Sequence, residues 1–156
     1  MAEEKNIELK YKELQKKLQL PEFNQLNNVF EINSLQNDHF LLRNIRRTIA
    51  AKLEHITKIV EELLQPDTHF RTLTESSSIS EKQKQQLLKF YKQIMHLLRL
   101  SDELDYSYND KKDAEYISNL FLEWEQINVL IKSLLEQLKL SWQKEEIFDH
   151  DIGYLG

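Results

Sequence analysis

Asp38 to Leu64 reads DHFLLRNIRRTIAAKLEHITKIVEELL, and its periodicity decides the fold class. Leu42, Ile49, Ile56 and Leu63 recur every seven residues. Ile45, Leu53, Ile59 and Val60 fall at the i+3 and i+4 offsets, which completes one apolar stripe on a helix. A strand would need period two, which is absent. Asn33, Ser34, Asn37 and Asp38 offer successive N-cap side chains, so the spacing predicts a central helix starting between Ser34 and His39. It should run to Gln65, ahead of Pro66, a span of about 40 Å.

Outward from this helix the same period returns. Among the apolar positions Ile7, Leu9, Tyr11, Leu14 and Leu18, the offsets 7, 11, 14 and 18 predict an amphipathic first helix over Glu3 to Leu18, ended by Pro21. Leu20 to Ile32 reads as a short helical turn or packed connector. The stretch after Pro66, DTHFRTLTESSS, is polar and rich in Ser and Thr, which predicts a long loop. Ser80 with Gln83 matches a capping box, so a third helix should run from Glu81 to Leu104. Ser107 to Lys111 predicts a turn with Asn109 or Asp110 as cap. The fourth helix, Lys112 to Lys144, repeats Ile117, Trp124, Ile131 and Leu138 at seven. Leu122, Val129 and Leu130 fall well off that seam, so its apolar surface is wider than one neighbour needs. Either the first helix covers them or a partner does.

Composition bounds the chemistry. The chain has 156 residues, two glycines, two prolines and no cysteine. One domain of long helices fits that length and composition. Thiol catalysis, disulfides and cysteine-ligated metals are excluded by the cysteine count. Glycine-rich phosphate loops are excluded too. The charged N-terminus and the lack of a long apolar run predict an intracellular, cytoplasmic protein with no membrane span. A net charge of −5 argues against a general nucleic-acid coat, although a local basic patch is compatible with it.

Catalytic patterns are missing. No Glu-x-x-His motif occurs, and His39, His55, His69, His96 and His150 stand singly without a chelating i, i+4 pair. A GxSxG elbow is absent, and Ser76, Ser77 and Ser78 are expected in the loop, where phosphorylation is conceivable. Asp102 with Glu103 and Glu123 with Glu125 are carboxylate pairs that a solvated helix face explains as well as acid-base work does. Trp124 and Trp142 are expected in the core.

The arginines divide into two groups. Arg46 shares a helical edge with Leu53 and Val60, so it should be partly buried and paired. Arg43 and Arg47 should face outward above Ala50 and Ala51. One reading makes them an anion or acidic-partner site; the favoured one makes them intrachain salt bridges to nearby glutamates.

Leu20 to Asn24, LPEFN, followed by Leu41-Leu42-Arg43-Asn44 with Arg46, Arg47 and Thr48, resembles the helical domain of GINS subunits of the replicative helicase assembly. In this chain the two motifs lie close together, a long fourth helix follows, and no terminal β domain is visible. The resemblance implies a non-catalytic helical scaffold that assembles with proteins near DNA. It would place Arg43 and Arg46 or Arg47 at an interhelical or subunit contact.

These readings predict an all-α, up-and-down helical bundle of three long helices plus a shorter N-terminal helix, with residues 1–144 as one domain and 145–156 as an acidic, aromatic tail that adds little to folding. The expected function is non-catalytic protein interaction or assembly, with a protein partner or a homo-oligomer. Nucleic-acid association through the arginine patch is the alternative, and an enzyme with a carboxylate site stands third. The expected interaction residues are Arg43, Arg46, Arg47, Leu122, Val129 and Leu130; no catalytic, cofactor or metal site is expected.

Overall fold

A computed structural model describes residues 2–144, all helical or connecting segments; residues 145–156, the expected tail, lie outside the described part. Six α-helices follow in order among the described residues: α1 Ala2–Lys17, α2 Phe23–Phe30, α3 Leu41–Leu64, α4 Phe70–Ser77, α5 Glu81–Leu104 and α6 Asp110–Ser141. A single 3-10 turn, Ile32–Ser34, joins α2 to the approach of α3. Two of these helices, α2 and α4, go beyond the four that periodicity predicts.

Helix α3 is the centre of the molecule. Leu42, Ile45, Ile49, Leu53, Ile56, Val60 and Leu63 are all buried, and they pack mainly against α5 and α6. Each such side chain contributes roughly 1.5–3 kcal/mol by leaving water. None of the predicted caps is used. The helix starts after Phe40, which adopts left-handed geometry (φ 49°, ψ 42°) and makes no side-chain cap. Asn37 instead accepts a hydrogen bond from the His39 N–H at 3.1 Å, and Asn44 Nδ2 donates to the His39 carbonyl at 2.9 Å. The cap signal marked a turn one residue pair too early.

Helix α5 has the predicted bounds. Ser80 Oγ accepts from the Gln83 N–H while Gln83 Oε1 accepts from the Ser80 N–H, so both halves of the capping box form. Helix α6 starts earlier than predicted, at Asp110, because Asn109 Oδ1 accepts from the Lys112 N–H at 3.2 Å. It ends at Ser141, short of Lys144. The first turn of α5 meets the last turns of α6 through Gln83 and Gln137, and the Tyr116 hydroxyl of early α6 donates to the Leu97 carbonyl of late α5. These two helices therefore run in opposite directions.

The N-terminal segments close one side. Ile7 and Tyr11 of α1 are buried; the Tyr11 hydroxyl donates to the Pro21 carbonyl at 2.6 Å, and its ring meets Phe23 edge-on at 5.4 Å. Leu9, outside the 7, 11, 14, 18 spacing, is exposed, because it lies two residues from both Ile7 and Tyr11 and so points away from them. Helix α2 is a regular two-turn helix that buries Phe23, Leu26 and Phe30. Phe30 meets Trp124 of α6 at a tilt of 60° with ring centroids 4.9 Å apart, and Lys52 of α3 lies over both rings while donating to the Val29 carbonyl. That contact joins α2, α3 and α6.

The predicted loop after Pro66 is instead helix α4. Asp67 Oδ1 accepts from the His69 N–H, and the Thr72 hydroxyl donates to the same carboxylate. These bonds hold the Asp67 carboxyl down at about 2, led by the Thr72 contact. Thr72 and Ser76 are buried, and the Ser76 hydroxyl donates to the Leu63 carbonyl at the end of α3. Hydroxyls that read as solvent-facing are packed because each has a nearby carbonyl or carboxylate to donate to.

Candidate functional site

Two regions carry the sequence-predicted residues. At one end, the first turns of α3 meet the last turn of α5 and the first turn of α6, and the three arginines converge there. Arg46 is fully buried, not partly. Its Nε donates to Asp113 at 2.7 Å, its Nη1 to both the carbonyl and hydroxyl of Ser101 at 2.6 Å, and its Nη2 to Asp105. Arg43 does not face outward: its side chain is 22% exposed and Nη2 donates to the Asp105 carbonyl. Arg47 is half exposed and donates to Asp105 Oδ1 at 3.1 Å. The acidic partners are aspartates of α6 and the α5–α6 turn, not the nearby glutamates.

The electrostatics follow from this geometry. Burial opposes charge on Arg46, but the hydrogen bonds to Asp105 and Asp113 outweigh it and raise its pKa. Burial also pushes Asp105 up, yet donors from Arg46 and Arg47 hold it below the usual carboxylate range. At Asp113 burial wins over the Arg46 contact, and the carboxyl is raised. Asp113 Oδ2 and Arg43 Nε have no hydrogen-bond partner although both are buried. Two carboxylates thus face three guanidinium groups; every nitrogen of Arg46 donates inside the chain, whereas Arg43 donates through Nη2 and Arg47 through Nε.

The second region is an open groove between α5 and α6. Its volume is about 700 Å³. Ile79, Leu87 and Leu134 form a buried floor, Leu122, Val129 and Leu130 line the α6 side, and glutamines 83, 86, 126 and 137 line much of the remainder. The Gln83–Gln137 contact, with Gln137 Nε2 also donating to the Ser78 carbonyl at 3.1 Å, joins the two walls. Glu125 is the lone charged residue in the lining. The first helix does not cover the off-seam residues: Leu122 is 80% exposed, Val129 63% and Leu130 37%.

The structure separates the six predicted residues into three arginines at one end and three aliphatics in the groove. Asp105, Asp113 and Ser101 were not singled out as arginine partners, and no local spacing marks them, since they come from helices 55 to 67 residues away in sequence. His39, His55, His69 and His96 are exposed; His150 lies outside the described residues. Ser76 is buried, which corrects its reading as a loop serine, while Ser77 is exposed. Glu123, Glu125, Asp102 and Glu103 are exposed. Trp124 is buried, but Trp142 is 46% exposed and leans on Phe70, its Nε1 donating to Glu75. Trp142 sits past the end of α6, where among the described residues only α4 packs against it.

Among the described residues no group of three or more His, Asp or Glu side chains could hold a metal ion. None of the described helices is long and apolar enough to cross a membrane. No family model matches the chain, and neither a curated protein nor a solved structure is significantly similar to it.

Proposed function

We propose that this chain is a non-catalytic, intracellular protein-interaction or assembly module whose docking face is the α5–α6 groove. One observation carries the reading: Leu122 and Val129 stand 80% and 63% exposed beside an apolar hollow of about 700 Å³. Apolar surface concentrated in this way marks contact sites, and grooves between helices accept amphipathic helices. In this reading the three long helices form an up-and-down bundle with a shorter N-terminal helix, and α6 keeps one face without a neighbour. The local likeness to GINS helical domains extends the proposal to a scaffold within a DNA-replication complex. Arg46, fully buried and bonded through all three nitrogens, offers nothing to a phosphate, which favours a protein partner over a three-arginine nucleic-acid site.

A photo-crosslinking residue at Gln126, on the groove wall, tests the proposal in cells that make the protein. A protein adduct at Gln126, lost on Val129→Glu while helicity by circular dichroism is kept, is the expected result. Adducts to nucleic acid, or none at all, overturn it.

A further inference from the structure

We propose that the groove's occupant is a second copy of this chain, with the two α6 helices antiparallel about a two-fold axis beside Leu130. This rests on the reading of the groove as a docking face and adds the identity of what docks. The exposed side of α6 carries Leu122, Gln126, Val129, Ser133, Glu136 and Leu140, at alternating steps of four and three. That is the repeat of a helix–helix seam, and it lies outside the stripe buried against α3 and α5. Leu122, Val129 and Leu140 on it are 80%, 63% and 47% exposed.

Laying this seam antiparallel on itself gives one consistent register. Leu122 meets Leu140 of the second copy, Val129 meets Ser133, and Gln126 meets Glu136. On the flank toward α5, Leu130 meets its own counterpart over the groove, and Glu123 faces Gln137. On the other flank Glu125, at the outer rim of the groove lining, faces Lys139, which exchanges its exposed Glu136 neighbour (2.6 Å) for Glu125 of the second copy; the pair forms twice. The like pair, Lys132 with Lys132, lies at the solvated edge, where long stems let the ammonium groups diverge. A parallel arrangement is poorer: it sets Glu136 against Glu136 and leaves Glu125 opposite Leu130. Charge complementarity therefore selects a second copy in the antiparallel sense.

Size sets the strength. Leu122 to Leu140 spans about 27 Å of helix, and a face two helices wide is about 20 Å across, roughly 500 Å² per copy. Stable interfaces bury about 800 Å² per partner. The dimer should therefore be dissociable, with a concentration-dependent mass.

The chain has no cysteine, so a single introduced thiol reports the axis. In the full chain, Leu130→Cys should be joined to its counterpart by a short bis-maleimide, because residues flanking the axis of two packed helices lie about 8–9 Å apart. Leu122→Cys, more exposed but far from its own counterpart, should not, whereas the Leu122→Cys/Leu140→Cys double variant should. Sedimentation of the cysteine-free chain should show monomer–dimer exchange, weakened several-fold by Glu125→Lys and restored when Lys139→Glu is added. Faster crosslinking by Leu122→Cys than by Leu130→Cys overturns the register. A monomer at every concentration overturns the proposal. If the Gln126 crosslinker then still captures an unlike protein, the docking reading survives; if it captures nothing, both fall. Faster amide exchange across the groove on truncation after Lys144, in a chain that stays monomeric, would assign the groove to residues 145–156 instead.

Discussion

The arginine end and the α5–α6 groove are built from the same helices, yet they treat their side chains in opposite ways. At the arginine end, charged groups are taken out of water and held by Asp105, Asp113 and Ser101 from two other helices. In the groove, apolar groups stay exposed, with no neighbour over them among the described residues. The chemically conspicuous residues serve mainly the fold, and the plain Leu and Val residues are the ones that lack a structural partner.

The largest break in this comparison should come from Arg46→Ala. It removes a fully buried guanidinium and strands Asp113, itself buried, so urea unfolding should show a loss of about 3–5 kcal/mol. Arg47→Ala, at a half-exposed pair, should cost less than about 0.5 kcal/mol. Similar losses for the two variants would mean that Arg46 is not the clamp between α3, α5 and α6.

Acid titration sharpens the same end. Asp105 has a lowered folded-state pKa, so its stabilising contribution is complete above its unfolded value near about 3.9 and is lost as pH falls through the lower folded value. Asp113 has a raised one, so its charged form is disfavoured by folding and the penalty is relieved as pH falls through that raised value. Asp105→Asn should flatten the acid loss of melting temperature, and Asp113→Asn should steepen it. The same slope change in both would refute the opposite environments assigned to them.

A smaller, stabilising effect is expected where α2 ends. Glu31 sits in left-handed geometry (φ 53°) with its N–H bonded to the Asn27 carbonyl, a position that favours glycine. Glu31→Gly should raise stability by about 0.5–1 kcal/mol in thermal unfolding, since its side chain is exposed and has no recorded bond. The smallest effect on stability should be Val129→Glu, under about 0.5 kcal/mol, paired with full loss of groove-dependent association. A strongly destabilised Val129→Glu would show that Val129 is a packing residue.

Much of this fold is legible from local signals. The bounds of α5 follow from the Ser80–Gln83 box, whose reciprocal bonds need only residues three apart. The buried stripe of α3 follows from its heptads, as does the edge that carries Arg46. Helix α4 reads as a loop in the sequence because it is two turns long, and its buried positions, Thr72 and Ser76, are hydroxyl residues whose partners sit outside the helix. Arg43 reads as outward because its helical angle is outward; the turn at Asp105 folds back over it.

The sequence by itself determined the helical class, the long-helix bounds at α5, the apolar stripe of α3 and the surplus apolar width of α6, all set by interactions within a few residues along the chain. Only the tertiary structure decided which carboxylates neutralise the arginines, that Arg46 is fully buried, and that Leu122, Val129 and Leu130 stay uncovered beside a groove. Those outcomes depend on which helices meet across separations of dozens of residues, where hydrophobic burial is strong but non-directional and periodicity carries no record of the neighbour.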